Sequence, residues 1–520
     1  MAIYASGSAK NSLKCVWNKD YRGAVLSNLA HNANIQFVKS FWSLTEYSFI
    51  RDAFPNIMFG NCKTKIAKDL IIKSRQDKYA IPLSGERVKI KPQNENELNK
   101  SEIKCLLIIN KINPSSNTTT ILLHCHGGGF VSQSPNSHEV YLRDWSKQLP
   151  DIPIISIDYI LSPEGKYPQA LQQVLDAYIW LIDPTNEEIK QTIGFNPTQV
   201  LLCGDSAGGN LMTALCLVLN DIRLYCHYNI QMPKSLLCIY TPLILKLCLS
   251  PSRIMTAFDA LIPIGVLLAC LEAYVDINEQ DLEKSSKQTA TVTNSLKPPK
   301  PANSPVKSDT DDEYSDDDLF KFTQLEFLSE KEKSDEEDAL TEDEFVIIDR
   351  EDTQPQQEIN FEFPNDFSVK FQQKYYSTLN QIKKSFYTNS FANSWSSASE
   401  KIVPSSATEE TTEPWYKAKD NKLKKKITLI NNKCTLPYIS PLLYSNFSSL
   451  ADVSLHLVAA TYDVCLDDSI AMAKKWTGPV TLDICHNLPH GFLNFIVFSD
   501  EAKQGSDLIV NRIKQTLNID

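Results

Sequence analysis

Short aliphatic runs alternate with amphipathic helical patterns over residues 103–206. The runs are KCLLIINKI, TTTILLHCHG, PIISIDYIL and TQVLLCGDS, and between them lie helical patterns such as HEVYLRDWSKQL and PQALQQVLDAYIWLI. Strands that are apolar throughout are buried on both faces, which is typical of a parallel sheet covered by helices. The alternation therefore predicts an α/β fold with a mostly parallel central sheet flanked by helices.

The same pattern returns after residue 436. DVSLHLVAATYD indicates a buried strand, DDSIAMAKKW a helix, GPVTLDICHNLPHGF a strand followed by a loop, and SDLIVNRIKQTL a closing helix. We therefore predict one α/β domain in two parts, 101–276 and 437–520. Residues 1–100 carry helix-like segments such as NIQFVKSFWSLTEYSFI, and we predict a helical region there.

Residues 277–436 interrupt the predicted domain with a polar and charged stretch. SDTDDEYSDDD holds seven acidic residues in eleven, and KAKDNKLKKK near the other end holds six lysines. Such segments bury too little apolar surface to offset the entropy of the chain. We predict a largely disordered insertion, which a loop tolerates because closure entropy grows slowly with length.

Composition limits the partners and the compartment. The net charge of −11 and the pI near 5.4 argue against nucleic acid, because phosphate binding needs clustered Lys and Arg. The 13 cysteines show no Cys-x-x-Cys or metal-ligand spacing, so we expect reduced thiols and neither a metal nor a cofactor. The N-terminus lacks a signal-peptide core, and the apolar stretch ALIPIGVLLACL is shorter than the ~20 residues that a bilayer requires. We expect a cytoplasmic chain without a transmembrane segment.

The stretch LLCGDSAGGN contains a Gly-x-Ser-x-Gly pattern around Ser206. A strand-like run precedes it and a helical run follows, which is the context of a nucleophile elbow; the alternative is an ordinary loop serine. Small residues on both sides let a strand turn sharply into a helix, and the helix N-terminus favours developing negative charge. We predict that Ser206 is a nucleophile.

A serine nucleophile needs a base and an acid that orients the base. Three histidines follow Ser206 near the C-terminus: His456 lies in a strand-like run, His486 closes a strand, and His490 lies in the loop beyond it. We predict His490 as the base and His456 as a core or edge residue.

The orienting acid is expected at the end of the preceding strand, in the order Ser, Asp, His. Asp463 ends the run LHLVAATY, and we predict it as the acid. Asp467 and Asp468 begin the next helix, where carboxylates cap free amides, although Asp468 is also placed to brace the histidine loop.

The motif HCHGGGF follows a predicted strand and precedes the elbow. Successive glycines let backbone amides approach an oxyanion without interference from Cβ atoms. We predict Gly128, Gly129 and Ala207 as the oxyanion hole, and His126 and Gly127 as the rest of the motif, with a structural role for His126.

These motifs resemble the hormone-sensitive lipase family of α/β hydrolases, especially its animal members. HGGGF, DYILSPEGKYP, GDSAGGN, YDVCLDDS and LPHGF occur in the family's order, and the charged insertion precedes the acid and the histidine. The resemblance implies an α/β-hydrolase fold and gives Ser206, Asp463 and His490 the roles derived above. Two departures are Ser162, where the family has alanine, and a truncated N-terminal region.

The family implies a serine lipase for neutral-lipid esters: acylglycerols, cholesteryl esters and retinyl esters. It also implies association with lipid droplets and their coat proteins, a homodimer, and a regulatory protein kinase that acts on the insertion. Candidate phosphorylation sites there are Ser329, Ser334 and Ser385. The alternatives are a carboxylesterase for small soluble esters and a non-catalytic, hydrolase-like adaptor.

Overall fold

The computed structural model describes residues 33–46, 66–72, 77–81, 89–92, 102–110, 119–226, 229–248, 250–254, 261–277, 347–349 and 425–519. Its strands are β1 Ile66–Ile72, β2 Asp77–Ala80, β3 Lys89–Pro92, β4 Ile103–Ile109, β5 Thr120–Cys125, β6 Ile154–Asp158, β7 Gln199–Asp205, β8 Ser235–Ile239, β9 Ile347–Asp349, β10 Ser454–Tyr462 and β11 Val480–Pro489. Its helices are α1 Ile35–Trp42, α2 Pro135–Gln148, α3 Gln169–Ile182, α4 Glu187–Ile193, α5 Ala207–Tyr225, α6 Pro251–Ile254, α7 Ile264–Tyr274, α8 Leu466–Lys475 and α9 Asp500–Leu517.

The described strands form one large, mostly parallel sheet and a separate β2–β3 hairpin. The order in the large sheet is β1-β4-β6-β5-β7-β8-β10-β11-β9. Neighbours from β6 through β11 are parallel, whereas β4 is antiparallel to both β1 and β6, and β9 is antiparallel to β11. The predicted α/β-hydrolase fold is confirmed.

Helices cover both faces of this sheet. Alternate residues of β7 point to opposite sides: Val200 and Leu202 pack with α3, α5 and α8, while Leu201 and Cys203 pack with α2 and α9. This two-sided burial explains the unbroken apolar runs in the central strands, such as VLLC in β7. The carboxyl ends of the parallel strands therefore meet at one edge, which is where such folds place their sites.

The region before residue 101 differs from the predicted helical region. It contains α1, but it also supplies β1, which extends the large sheet beside β4, and the hairpin β2–β3. The run IAKDLII of β1 buries Leu70 and Ile72 in the core. The boundary predicted at residue 101 therefore cuts through the sheet.

The end of the predicted insertion also differs. Residues 425–433 are helical, and Ile430 and Cys434 are fully buried in the main core. Within the insertion, Ile347–Asp349 forms the edge strand β9 against Thr481–Asp483. The other insertion residues, 278–346 and 350–424, lie outside the described residues, as do Ser329, Ser334 and Ser385.

Among the described residues, no helix combines the length and the apolar character that crossing a bilayer demands.

Candidate active site

Ser206 occupies a sharp turn between β7 and α5. Its backbone has φ +51° and ψ −123°, a conformation that non-glycine residues rarely adopt, and such strain persists only where the surroundings hold it. The Ser206 amide donates to the Ile239 carbonyl at 2.9 Å. A Cβ on Gly208 would lie 2.0 Å from the Cys125 carbonyl oxygen, so glycine is required where α5 passes β5. The pattern Gly-x-Ser-x-Gly thus builds the turn.

Three side chains from different strands converge at this turn. The Ser206 hydroxyl lies 2.9 Å from His490 Nε2, and His490 Nδ1 lies 2.9 Å from Asp463 Oδ1. An ionised carboxylate only accepts, so Nδ1 carries the proton and Nε2 accepts from the serine hydroxyl. Asp463 is fully buried and His490 is 6% exposed. The structure therefore brings together the three residues that the sequence selected.

The backbone and a neighbouring ring fix these groups. Asp463 Oδ1 also accepts from the Cys465 amide at 2.9 Å, while Asp463 Oδ2 is buried without a hydrogen-bond partner among the described residues. The Tyr240 ring packs 4.8 Å from the His490 ring. Gly491, at φ +74°, turns the chain directly after the histidine. The imidazole is consequently held in one orientation.

The other histidines and acids that the sequence offered lie elsewhere. His456 is buried between the hydroxyls of Thr481 and Thr516, at 2.9 Å and 2.8 Å, as a satisfied core residue. His486 is exposed beside Thr461.

Asp467 and Asp468 do not cap their own helix with their side chains. Asp468 accepts from the amides of Leu243 and Ile244, at 2.8 Å and 3.0 Å, and pairs with Arg253 at 2.9 Å. Asp467 accepts from the Ser252 amide at 2.8 Å. They anchor the segment after β8 and do not touch the histidine loop, contrary to both sequence interpretations.

The glycine motif after β5 forms a tight loop next to Ser206. Gly128 has φ +102°, and a Cβ there would lie 2.1 Å from the Ser132 carbonyl oxygen. No acceptor among the described residues pairs with the backbone amides of Gly128, Gly129 or Ala207. His126 is fully buried, stacks on Tyr159 at 4.3 Å, and donates from Nδ1 to its neighbour's carbonyl at 2.8 Å. Burial lowers the pKa of His126 to about 3, so its ring is neutral.

Two elements pack against this loop from outside the parallel core. Trp42 of α1 and Cys270 of α7 both lie beside Gly129, where a Cβ would come within 2.9 Å and 3.0 Å of them. Phe130 stacks on Tyr274 at 3.9 Å. The Ser162 amide donates to the Phe130 carbonyl at 2.8 Å, so this departure from the family leaves the loop tied down. The loop is thus enclosed by apolar and aromatic side chains.

Asp205 was not among the site residues predicted from the sequence. It is buried directly before the nucleophile and accepts from the Gly127 amide and from the Tyr141 hydroxyl, each at 3.0 Å. The sequence marks Asp205 only by its place inside the Gly-Asp-Ser motif. Its hydrogen-bond partners lie more than 60 positions away in the chain, so the sequence does not indicate these contacts.

One grouping of described residues has the spacing of metal ligands: Asp463, Cys465 and His490, whose ligand atoms lie within 4.8 Å of one another. The carboxylate oxygen and the imidazole already share a hydrogen bond, and the Cys465 amide binds the same oxygen. The hydrogen bonds of the triad therefore account for this grouping.

Comparison with known proteins agrees with the motifs. A family model described as "alpha/beta hydrolase fold" matches residues 122–299, and one described as "Hormone-sensitive lipase (HSL) N-terminus" matches residues 2–108. Hormone-sensitive lipase of Homo sapiens is 25% identical over 99% of this chain and 51% of the human protein. Along nearly its whole length the chain is similar to hormone-sensitive lipase. The resemblance inferred from the motifs is confirmed.

A second relative and a solved structure extend the comparison. Hormone-sensitive lipase of Ictidomys tridecemlineatus is 25% identical over 96% of this chain and 70% of its own length. The chain thus spans about half of the human relative and 70% of this one. An esterase of Pyrobaculum calidifontis has a TM-score of 0.51 at 14% identity, covering 93% of this chain and 94% of the esterase. That structure shares the fold.

Proposed function

We propose that this chain is a serine hydrolase of carboxylic esters that acts on neutral lipids through an acyl-enzyme. The observation that carries the proposal is the continuous chain of hydrogen bonds from Ser206 through His490 to Asp463. A hydroxyl becomes an effective nucleophile when a positioned base takes its proton as it attacks.

The reaction follows from these contacts. Ser206 Oγ attacks the ester carbonyl, and its proton passes to His490 Nε2. Asp463 stabilises the imidazolium through the Nδ1 proton. The carbonyl oxygen takes the negative charge, and we assign its donors to the amides of Gly128, Gly129 and Ala207. The imidazolium then protonates the departing alcohol, and water releases the acid by the same steps.

Neutral lipid as the substrate class is supported by the family and by the surroundings of the loop. Trp42 and Cys270 lie beside Gly129, and Phe130 stacks on Tyr274, so the loop has apolar surroundings, in which an uncharged acyl chain loses less solvation than a polar substituent would. By the same family argument we propose di-, tri- and monoacylglycerols, cholesteryl esters and retinyl esters as candidates. We also propose contact with lipid droplets and phosphorylation within residues 278–424.

The test is a substrate panel with the purified chain. We expect turnover of an emulsified long-chain diacylglycerol and of a short-chain soluble ester, both abolished in Ser206→Ala. Activity restricted to the soluble ester would support the carboxylesterase alternative. Absence of hydrolysis of every ester in the panel would favour the non-catalytic adaptor and contradict the proposal.

A further inference from the structure

A buried set of polar side chains lies behind the glycine loop and takes no part in the proton transfers described above. Asp205 is at its centre, 2% exposed, with His138 Nε2 3.4 Å from its Oδ2. His138 is fully buried in α2. Both side chains are shielded from solvent, where a polar group without a partner is costly.

His138 contacts the same backbone amide as Asp205 does. Its Nε2 lies 3.1 Å from the Gly127 amide nitrogen and 3.4 Å from Asp205 Oδ2, and its Nδ1 lies 3.0 Å from the Ser134 carbonyl oxygen. A carbonyl oxygen only accepts, so Nδ1 carries a proton and Nε2 accepts from the Gly127 amide. His138 is thus a second acceptor for this amide, beside Asp205.

The pair touches the glycine loop directly. Asp205 Oδ1 accepts from the Gly127 amide at 3.0 Å, and this amide immediately precedes those of Gly128 and Gly129. A Cβ on Gly127 would lie 2.6 Å from Asp205 Oδ2, so the backbone is in close contact with the carboxylate. Because Asp205 also directly precedes Ser206, one side chain links the nucleophile's turn to the loop.

Two tyrosines complete the surroundings of the carboxylate. Tyr141 donates to Asp205 Oδ1 at 3.0 Å, and Tyr240, whose ring packs on His490, lies with its hydroxyl 3.4 Å from Oδ2. The same carboxylate therefore contacts groups that border the base, the nucleophile and the loop.

We propose that Asp205 and His138 are positioning residues whose side chains hold the Gly127 amide and so orient the oxyanion loop for ester hydrolysis. This inference rests on the proposed function. The pair makes no contact with substrate; it fixes the Gly127 peptide so that the two following amides face the developing negative charge. An interaction realised only in the transition state alters kcat and leaves KM nearly unchanged.

The first test compares variants on a soluble ester, with kcat calculated per serine that a fluorophosphonate labels. We expect Asp205→Ala and His138→Ala to lower kcat by about 10- to 100-fold, part of the loss that follows removal of a whole oxyanion donor, at unchanged KM. Asp205→Asn retains an acceptor for the Gly127 amide, so we expect it to recover most of the kcat lost in Asp205→Ala.

A matched control separates positioning from stability. Asp483 and Arg512 form a buried ion pair, at 2.8 Å, between β11 and α9. Asp483→Ala removes one partner from this buried polar contact, as Asp205→Ala does at the loop, and we expect a lower melting temperature with unchanged kcat per labelled serine. Equal kcat losses in Asp205→Ala and Asp483→Ala would overturn the positioning role.

Nitrogen-15 NMR of the histidine side chains at neutral pH tests the contacts of His138. We expect a buried ring that carries its proton on Nδ1 and accepts at Nε2, with its signals absent in His138→Gln. A His138 ring protonated at Nε2 in the wild type would overturn its role as an acceptor for the Gly127 amide even if every variant lost activity. Absence of any ester hydrolysis by the wild type would instead contradict the proposed function, and the positioning role with it.

Discussion

At the scale of single residues, the site depends on backbone conformations that few side chains tolerate. Ser206 is held at φ +51°, and Gly128 at φ +102° lies against the Ser132 carbonyl. A non-glycine residue in the conformation of Ser206 costs on the order of 1–3 kcal/mol, which the surrounding contacts must offset, whereas glycine at position 128 avoids this cost. The nucleophile and its oxyanion donors are therefore placed by the chain itself before any substrate arrives.

Gly128→Ala tests this placement. The new Cβ would lie 2.1 Å from a backbone oxygen, so the loop must move, and we expect a loss of kcat of about 10²-fold or more. Gly194→Ala is the control, because Gly194 also has positive φ, at +92°, but has open space around it. We expect the control to cost about 1 kcal/mol of unfolding free energy with unchanged kcat. Similar kcat in both variants would contradict the role of the loop.

Asp463→Asn tests the orientation of the base. The amide of asparagine would donate to His490 Nδ1, which places the ring proton on Nε2, where it no longer accepts from Ser206. We expect kcat to fall on the order of 10⁴-fold with the fold retained, measured with a soluble ester and by circular dichroism. A loss of less than about tenfold would show that Asp463 does not set the tautomer.

The sequence identified the convergent side chains because chain order and strand ends restrict where a triad can form. The sequence contains several candidate histidines, and their contacts in the structure distinguish them. His456 lies between two threonine hydroxyls, while His490 faces Ser206. The Asp205–His138 pair was not predicted, because the pairing depends on how α2 packs on the sheet. No local pattern encodes such packing.

At the scale of elements, long-range carboxylate contacts tie the segment after β8 to α8. Asp468 holds two amides of that segment and Arg253, and all these groups are buried or nearly so. Burial raises the pKa of Asp468, although Arg253 and the amides oppose this shift. The negative charge of Asp468 is therefore stable in the protein interior only because these partners stabilise it.

Asp468→Ala should cost about 3–5 kcal/mol of unfolding free energy, because it leaves the Arg253 charge and two amides without this partner. Asp467→Ala, which removes one partner of the Ser252 amide, should cost only about 1 kcal/mol. Denaturant titration measures both. Equal losses would show that Asp468 does not hold the segment.

The elements that the sequence predicted are those with strong periodicity. The strands β5 and β7 were predicted because their apolar residues follow one another without a break, and every position except Gln199 at the start of β7 is buried. Residues 425–433 were missed because lysines dominate the composition, although the spacing of Ile427, Ile430 and Cys434 is helical and marks a buried face. Strand β9 is three residues long in a charged context, and only its pairing with β11 defines it.

At the scale of the whole molecule, the two chain segments that flank residues 278–424 lie side by side. Lys426 pairs with Glu272, and Lys433 Nζ donates to the Asp276 carbonyl at 2.5 Å. We therefore propose that the catalytic domain closes across the insertion and that its second part begins by residue 425. A short linker in place of residues 278–424 should then leave the domain folded.

Two deletions test this boundary. Replacing 278–424 by a short Gly-Ser linker should leave kcat on a soluble ester within about threefold of the wild type. Deleting 277–436 also removes the buried Ile430 and Cys434, so we expect loss of folded protein. Circular dichroism measures whether each purified chain is folded, and an assay with the soluble ester measures its kcat. Retained activity in the larger deletion would contradict the packing of residues 425–436.

The most direct test of the account is to map the adduct of a fluorophosphonate on the full-length chain by tandem mass spectrometry. We predict one adduct, on Ser206, formed at least about 10²-fold more slowly in His490→Ala and absent in Ser206→Ala. An adduct on another residue, or labelling that persists in Ser206→Ala, would contradict the claim that this serine is the nucleophile.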